Sequence, residues 1–190
     1  GGKGELTVKN VKDDEFIRAD VPMTKFNIRN LSIAYMQIEK GDMFLDIGGG
    51  TGSVSVEAAL QGADVVTAEA GLEACRLIEK NCKKFAVNVR LIEGFAPEIL
   101  LKPEYRSFVC DKCFIGGSGG RLRPVFEYLK TALKHGGILC ADFILIKNLY
   151  EFLSLLEEFG YSDIEAHLIQ TASMGKAGLF KGENPVYIVK

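Results

Sequence analysis

The chain has 190 residues and a mass of 20.8 kDa, the size of one domain with a continuous buried core. Charged residues make up 25% of the chain and hydrophobic residues 47%, a balance that excludes intrinsic disorder. The formal net charge is only -2 and basic residues are scattered, so the composition gives no support to a nucleic-acid surface.

The N-terminal residues lack the apolar core of a signal peptide, and Gly1 in place of Met suggests a tag remnant or an excised segment. No apolar run approaches the roughly 20 residues that span a bilayer. The five cysteines, an odd number, are expected to be unpaired thiols in a reducing compartment. We therefore expect a cytoplasmic protein with no membrane contact, in which residues 1–20 form an extension and residues 21–190 a single domain.

Short apolar runs alternate with helical periods along most of the chain. The runs that predict strands are residues 43–47, 65–68, 89–92, 108–115 and 137–146. The segments that predict helices are residues 53–60, 71–85, 122–133 and 149–159. Strands that alternate with helices indicate βαβ units, so the sequence predicts an α/β fold with a mainly parallel sheet.

The C-terminal part has a different pattern. Residues 163–171 and 185–189 are strand-like, and the linker between them, residues 172–184, is rich in Gly and Lys and has no helical pattern. Two consecutive strands without a helical crossover should pair antiparallel. The sequence therefore predicts a seven-stranded sheet, five strands parallel and an antiparallel pair at the end, with helices on both faces.

A glycine cluster follows the first predicted strand, which ends near Asp46. Three glycines occupy alternate positions before the next helix: Gly48, Gly50 and Gly52. Glycines let backbone N–H groups approach a ligand, and the helix N-terminus adds a partial positive charge, so the loop could hold a dinucleotide or a methyl donor. A dinucleotide-binding fingerprint needs a glycine at its sixth position, where this chain has Ser53. The Gly-Lys-Ser/Thr sequence of a P-loop (Walker A motif) is also absent.

The second predicted strand leads into Glu69. A carboxylate at that point can accept two hydrogen bonds from a vicinal diol. A structural turn with a surface glutamate is the alternative, because each feature alone is common. The Asp-x-Gly-x-Gly-x-Gly pattern from Asp46 to Gly52 resembles motif I of class I methyltransferases. The resemblance implies a Rossmann-like fold, S-adenosylmethionine as cofactor, and an acidic residue that holds the ribose hydroxyls.

Three further segments narrow the resemblance. Residues 21–25 read VPMTK, residues 93–98 read EGFAPE and residues 114–120 read FIGGSGG. With residues 46–59, they closely resemble the decarboxylating precorrin C15-methyltransferases of cobalamin biosynthesis, over nearly the whole chain from about Ile17. The FIGGSGG string is the most specific part.

The resemblance implies a set of residues that bind the methyl donor. These are Thr24, Asp46, Gly48, Gly49, Gly50, Thr51, Gly52, Glu69, Phe95 and Ala96. Phe95 stands where the family often carries an acidic residue. Its ring can stack on adenine but cannot accept a hydrogen bond from the adenine amino group.

The family also implies a homotetramer that methylates a tetrapyrrole at C15 and removes CO2 from the acetate side chain on C12. A chain of this size holds only the C15 activity, so a separate C5-methyltransferase is a possible partner. Methyl transfer from a sulfonium is an in-line displacement, so we expect neither a Ser-His-Asp triad nor a metal. His135 and His167 are therefore expected to be structural, and Cys110 and Cys113 lack the second ligand pair of a zinc site.

The glycine loop after the fourth predicted strand could let a broad, flat ring approach the donor, with a flexible turn as the alternative. The candidate substrate-binding residues are Gly116, Gly117, Ser118, Gly119, Gly120 and Arg121. Tetrapyrrole carboxylates need cations, and the candidates are Lys25, Arg29, Arg121, Arg123 and Lys147. The acid for decarboxylation is not identified; Lys25 and Arg121 are the two candidates.

Two other functions remain open. One is a methyltransferase for another small molecule or an RNA base, and the other is a donor-binding protein without turnover. Residues 184–187, Asn-Pro-Val-Tyr, resemble the NPPY motif of amino-group methyltransferases. They follow the sixth predicted strand instead of the fourth and lack the second proline, so we expect only a terminal strand there.

Overall fold

The computed structural model describes residues 10–105 and 107–190. Within them lie a short 3-10 helix (Asp13–Glu15) and five α-helices: α1 Phe26–Met36, α2 Ser53–Leu60, α3 Leu72–Lys84, α4 Leu122–Ala132 and α5 Ile146–Glu158. The nine strands of this part are β1 Met43–Ile47, β2 Asp64–Glu69, β3 Val89–Glu93, β4 Cys110–Ile115, β5 Leu133–Phe143, β6 Ala166–Ile169, β7 Ala172–Met174, β8 Phe180–Gly182 and β9 Val186–Val189. None of the helices in these two ranges is both long and apolar enough to cross a membrane.

Seven strands form one sheet in the order β3-β2-β1-β4-β5-β9-β6. Strands β1 to β5 are parallel, and β9 pairs antiparallel with both β5 and β6. The predicted α/β fold with an antiparallel last strand is therefore confirmed. The order reverses between β1 and β4, and ligands of such sheets bind at the carboxyl ends of the strands beside that point.

Helices cover both faces of the sheet, and successive buried side chains of its strands point alternately to one face and the other. Phe44 and Phe114 pack in one core cluster with residues of α1 and α2. Leu45 and Ile115, one position further along, pack in another cluster with residues of α4 and α5. Side chains at alternate positions after Phe44 and Phe114 therefore point to the α1–α2 face.

The fifth strand and the following helix begin earlier than predicted. The sequence placed the strand at residues 137–146, whereas β5 starts at Leu133 and ends at Phe143. Gly136 has a φ of 77°, and the register between β4 and β5 shifts here, so the strand continues through the glycines. His135 consequently lies within β5.

The predicted linker of residues 172–184 contains a hairpin that the sequence pattern did not reveal. Strands β7 and β8 pair antiparallel as a separate two-stranded sheet. Its side chains are exposed, including the large apolar Leu179 (76%) and Phe180 (72%). Such short strands bury too little to produce a clear apolar alternation, which is why the linker had no recognisable pattern.

The segment before α1 packs onto the domain through a buried arginine. Arg29 is 0% exposed and forms ion pairs with Asp13 (3.0 Å) and Glu57 (3.4 Å). It also donates hydrogen bonds to the backbone oxygens of Thr24 (2.6 Å) and Val11 (2.5 Å). The prediction that Arg29 anchors substrate carboxylates is therefore wrong: its guanidinium fixes residues 11–24 against α1 and α2.

Candidate active site

A cavity of about 630 Å³ lies at the carboxyl ends of β1, β2, β4 and β5. Thirteen of the sequence-predicted residues line it: Thr24, Lys25, Asp46, Gly48, Gly49, Gly50, Glu69, Phe95, Ala96, Gly116, Gly117, Ser118 and Gly119. Residues that are distant in sequence thus meet at the position where a doubly wound sheet binds its ligands. A volume of this size is within the range of small-molecule and cofactor sites.

The turn after β1 touches the loop after β4 at a glycine. Gly48 has a φ of 75°, and a Cβ on it would lie 2.2 Å from the carbonyl oxygen of Gly117. The backbone N–H groups of Gly116 and Gly117 donate to the carbonyl oxygen of Ile47, at 3.0 and 3.2 Å. Only a residue without a side chain fits at Gly48, so the glycine spacing brings the two loops into contact.

Asp46 is a buried carboxylate on the α1–α2 face of the sheet. Its Oδ2 accepts a short hydrogen bond from the Ser55 hydroxyl, and Ser55 and Thr67 are linked at 2.6 Å. Its Oδ1 has no hydrogen-bond partner in the part of the chain that the structure describes. Burial raises the pKa of Asp46 to about 7; the Ser55 hydrogen bond opposes this rise, and nearby carboxylates, first that of Glu69, add to it. The unsatisfied oxygen at the cavity wall suits a cationic donor.

Glu69 lies at the end of β2, one strand away from Asp46. Its Oε2 accepts from the backbone N–H of Gly50 (2.9 Å) and its Oε1 from the N–H of Gly71 (2.7 Å). These two bonds orient the carboxylate beside the glycine turn and leave further lone pairs for a ligand. The acidic residue and the glycine turn are therefore one connected unit, and not a separate turn and surface glutamate.

Phe95 and Arg121 form an exposed pair at the rim of the cavity. The Arg121 guanidinium lies 4.2 Å from the centre of the Phe95 ring. Arg121 also forms an ion pair with Glu98 (3.2 Å) and donates to the carbonyl oxygen of Gly119 (3.2 Å). The pair thereby links the loop after β3 to the loop after β4.

Besides Arg29, six of the predicted residues lie outside the lining of this cavity. These are Thr51, Gly52, Gly120 and Arg121, and the candidate anchors Arg123 and Lys147. The Thr51 carbonyl accepts from Asn81 (2.8 Å), and Gly52 packs closely on Ile78. Arg123 forms two bonds of 2.6 Å with Glu158, which connect α4 to α5.

The sequence prediction missed Asp142, which lies near the end of β5 and lines the same cavity. Its Oδ2 accepts a hydrogen bond from the Thr24 hydroxyl (3.2 Å). Burial raises the pKa of Asp142 to about 6, while that hydrogen bond lowers it. An acidic residue inside the otherwise apolar run 137–146 was the signal that could have identified it.

The two histidines lie away from this cavity. His167 is in β6, where its ring stacks on Tyr35 at 5.0 Å. Cys110 and Cys113 lie in β4 within one core cluster, and burial raises the pKa of both thiols. Cys110 and Cys113 therefore have packing roles, and His167 packs against Tyr35.

Comparisons with known proteins point to one family. A family model described as "Precorrin methyltransferase domain" matches residues 15–190. A Sulfolobus acidocaldarius protein named "Probable cobalt-precorrin-6B C(15)-methyltransferase (decarboxylating)" is 37% identical, and the match covers 97% of each chain. A Salmonella typhimurium protein named "Cobalt-precorrin-6B C(15)-methyltransferase (decarboxylating)" is 34% identical over 94% of each. The crystal structure of precorrin-6Y C5,15-methyltransferase from Geobacter metallireducens superposes with a TM-score of 0.88, 30% identity and 96% coverage of both chains.

Proposed function

Because the chain belongs to the precorrin methyltransferase family, we propose that it transfers a methyl group from S-adenosylmethionine to C15 of a precorrin tetrapyrrole. In the same reaction it removes CO2 from the acetate side chain on C12, a step of cobalamin biosynthesis. The names of its relatives support both activities. The observation that carries the proposal is the cavity in which Asp46 and Glu69 flank the glycine turn and the loop after β4 opens beside them.

The residues of the cavity fit S-adenosylmethionine. The unsatisfied Oδ1 of Asp46 would accept from the ammonium group of the donor, a charge-assisted bond. Glu69 would accept from the ribose hydroxyls, and the half-exposed Phe95 ring would stack on the adenine beside Ala96. Thr24 and the turn from Gly48 to Gly52 would complete the donor site. The bound donor supplies an electrophilic methyl group on its sulfonium.

The protein contributes mainly alignment, because an electron-rich ring carbon is already nucleophilic. The two acidic residues proposed to hold the donor, Asp46 and Glu69, lie on β1 and β2, so the acceptor ring would lie over β4 and β5. The loop of residues 116–120 has no Cβ at four positions, and Gly117 and Gly120 face open space. A flat ring can therefore approach the donor closely over this loop.

The edge of the cavity suits a substrate with apolar and acidic parts. Ile144 and Leu145 line it and are 60% and 62% exposed. Lys25 also lines it and is exposed, so its ammonium can reach a substrate carboxylate. We assign Lys25 and Arg121 to this anchoring role, with Arg121 acting through the rim.

The proposal is tested by incubating the protein with S-adenosylmethionine and a reduced precorrin, with and without cobalt, followed by mass spectrometry. Gain of one methyl group and loss of one CO2 is the expected result. Donor binding without any mass change would indicate a binding protein without turnover, and methylation of a different acceptor would indicate another substrate class. Either outcome contradicts the proposal.

Replacing Asp46 with asparagine should stabilise the protein without donor and weaken donor binding. Because its pKa in the folded state is raised to about 7, Asp46 takes up a proton on folding between about pH 4 and pH 7, and stability falls as pH rises through that window. Asparagine removes this cost, worth roughly 1–3 kcal/mol at pH 8, since one pKa unit is about 1.4 kcal/mol. Chemical denaturation at pH 5 and pH 8 measures the first effect and calorimetric titration with S-adenosylhomocysteine the second.

The oligomeric state and the cellular compartment are proposed from other features of the chain. We propose a homotetramer that includes the β7–β8 hairpin in its contacts, because Met174, Leu179 and Phe180 expose apolar surface there. The five unpaired cysteines, four of them buried, support a reducing compartment, the cytoplasm. Residues 21–190 would be the methyltransferase domain, with residues 1–20 as its extension, and a separate enzyme would methylate C5.

The double variant Leu179→Asp and Phe180→Asp should dissociate the assembly. Two carboxylates in an apolar contact are costly to desolvate. Light scattering coupled to size exclusion should show a smaller particle, and its melting transition should stay cooperative because the hairpin is exposed and outside the core. The exposed Asp64 changed to Asn serves as the control, and an unchanged particle mass for the double variant would exclude the hairpin from the interface.

A further inference from the structure

We propose that Asp142 is the proton-transfer residue of the decarboxylation half of the reaction, an inference that rests on the proposed function. Methylation and decarboxylation place different demands on the protein. The methyl transfer needs alignment, whereas loss of CO2 from an acetate side chain leaves a methylene carbon that must gain a proton. Asp142 lies where such a group is needed.

The register of the sheet places Asp142 on the acceptor side of the cavity. Asp46 is level with Phe114 on β4, and Phe114 is level with Cys140 on β5. Asp142 is two residues beyond Cys140, so its side chain points to the same face as that of Asp46. With strands about 4.8 Å apart, Asp142 is two strands, or about 10 Å, from β1 and further still from Glu69. If the ribose of the donor binds Glu69, Asp142 would therefore remain available to contact the acceptor.

The immediate surroundings of Asp142 suit an acid that cycles between its two forms. The Thr24 hydroxyl holds one carboxyl oxygen at 3.2 Å and fixes its orientation. The other charged side chains that line the cavity within the described residues are Lys25, Asp46 and Glu69. Burial raises the pKa of Asp142 to about 6, which keeps a protonated fraction at neutral pH.

The reaction balances without any further reagent. The bond between the methylene and carboxylate carbons breaks and its electron pair enters the conjugated ring as CO2 leaves. The ring carbon C15 bonds to the sulfonium methyl, and the C–S pair returns to sulfur, which leaves a neutral ring with an exocyclic methylene. The acid form of Asp142 protonates this methylene to give a methyl group, and its carboxylate then accepts the proton that another ring position releases.

The test compares Asp142→Asn with the wild type under single turnover with saturating donor. We expect a roughly 100-fold or greater loss of rate, in the range of general acid catalysis, with the affinity for S-adenosylhomocysteine within about threefold of wild type. Asp64→Asn, at the exposed start of β2, is the matched control. In D2O the wild-type product should carry one deuterium in the methyl group that forms on C12 from the acetate side chain.

A pH profile separates proton transfer from a purely structural role. The wild-type rate should fall as pH rises through the pKa of Asp142, and this limb should be absent from Asp142→Asn. The limb should persist in the control Asp64→Asn, whose side chain is exposed and lies outside the cavity lining. A wild-type rate and pH profile in Asp142→Asn would overturn the inference. Absence of a methylated, decarboxylated product from the wild type itself would instead contradict the proposed function.

Discussion

The variant Glu69→Gln is expected to bind S-adenosylhomocysteine at least about 100-fold more weakly than the wild type. The carboxylate would accept both ribose hydroxyls, and hydrogen bonds to a charged group are worth about 1.5–3 kcal/mol each. An amide has only one accepting oxygen, which the N–H groups of Gly50 and Gly71 already compete for. Loss of about 3 kcal/mol corresponds to about 100-fold in affinity. Calorimetric titration measures the effect.

Glu93→Gln is the matched control for this variant. Glu93 ends β3 and is level with Glu69 in the sheet, but its side chain is exposed and lies outside the cavity lining. The control should therefore bind the donor product with wild-type affinity. Equal affinity of Glu69→Gln and wild type would show that the ribose does not bind at the end of β2.

The sequence predicted the parts of the fold whose burial is regular. Each central strand is buried on both faces and appears as a short apolar run, and α3, α4 and α5 show apolar spacing on one side. The glycine turn was recognisable because the contact between Gly48 and Gly117 excludes any side chain. Local sequence pattern thus identified in advance the glycine turn and the acidic residue that meet at the cavity.

The missed features depend on contacts between distant segments. Asp142 stood inside an apolar run, and only the register of β1, β4 and β5 places it over the cavity. Arg29 was taken as an anchor for substrate carboxylates because its sequence neighbours do not show that residues 11–24 fold back over it. In both cases the local pattern was ordinary and the fold changed the environment of the charge.

Replacing Arg29 with methionine should produce the largest loss of stability among single substitutions considered for this protein. The guanidinium is fully buried, and its removal leaves the buried Glu57 carboxylate without its cation. Breaking a buried pair in this way costs about 3–5 kcal/mol. The backbone oxygens of Val11 and Thr24 lose their donors as well. At about 2–4 °C per kcal/mol, the melting temperature should fall by roughly 6–20 °C.

The contribution of charge can be separated from that of packing by a second change. Burial already raises the pKa of Glu57, so in Arg29→Met the neutral Glu57→Gln should restore part of the lost stability. Arg123→Met removes a pair with Glu158 that water screens, since each side chain is about half exposed, and should change the melting temperature little. If Arg29→Met melted like Arg123→Met, residues 11–24 would not be held by this guanidinium. If Arg29→Met combined with Glu57→Gln were no more stable than Arg29→Met alone, the loss of stability would come from packing and not from the unpaired Glu57 charge. Methionine keeps the helix, but it cannot connect α1, α2 and the preceding segment as the guanidinium does.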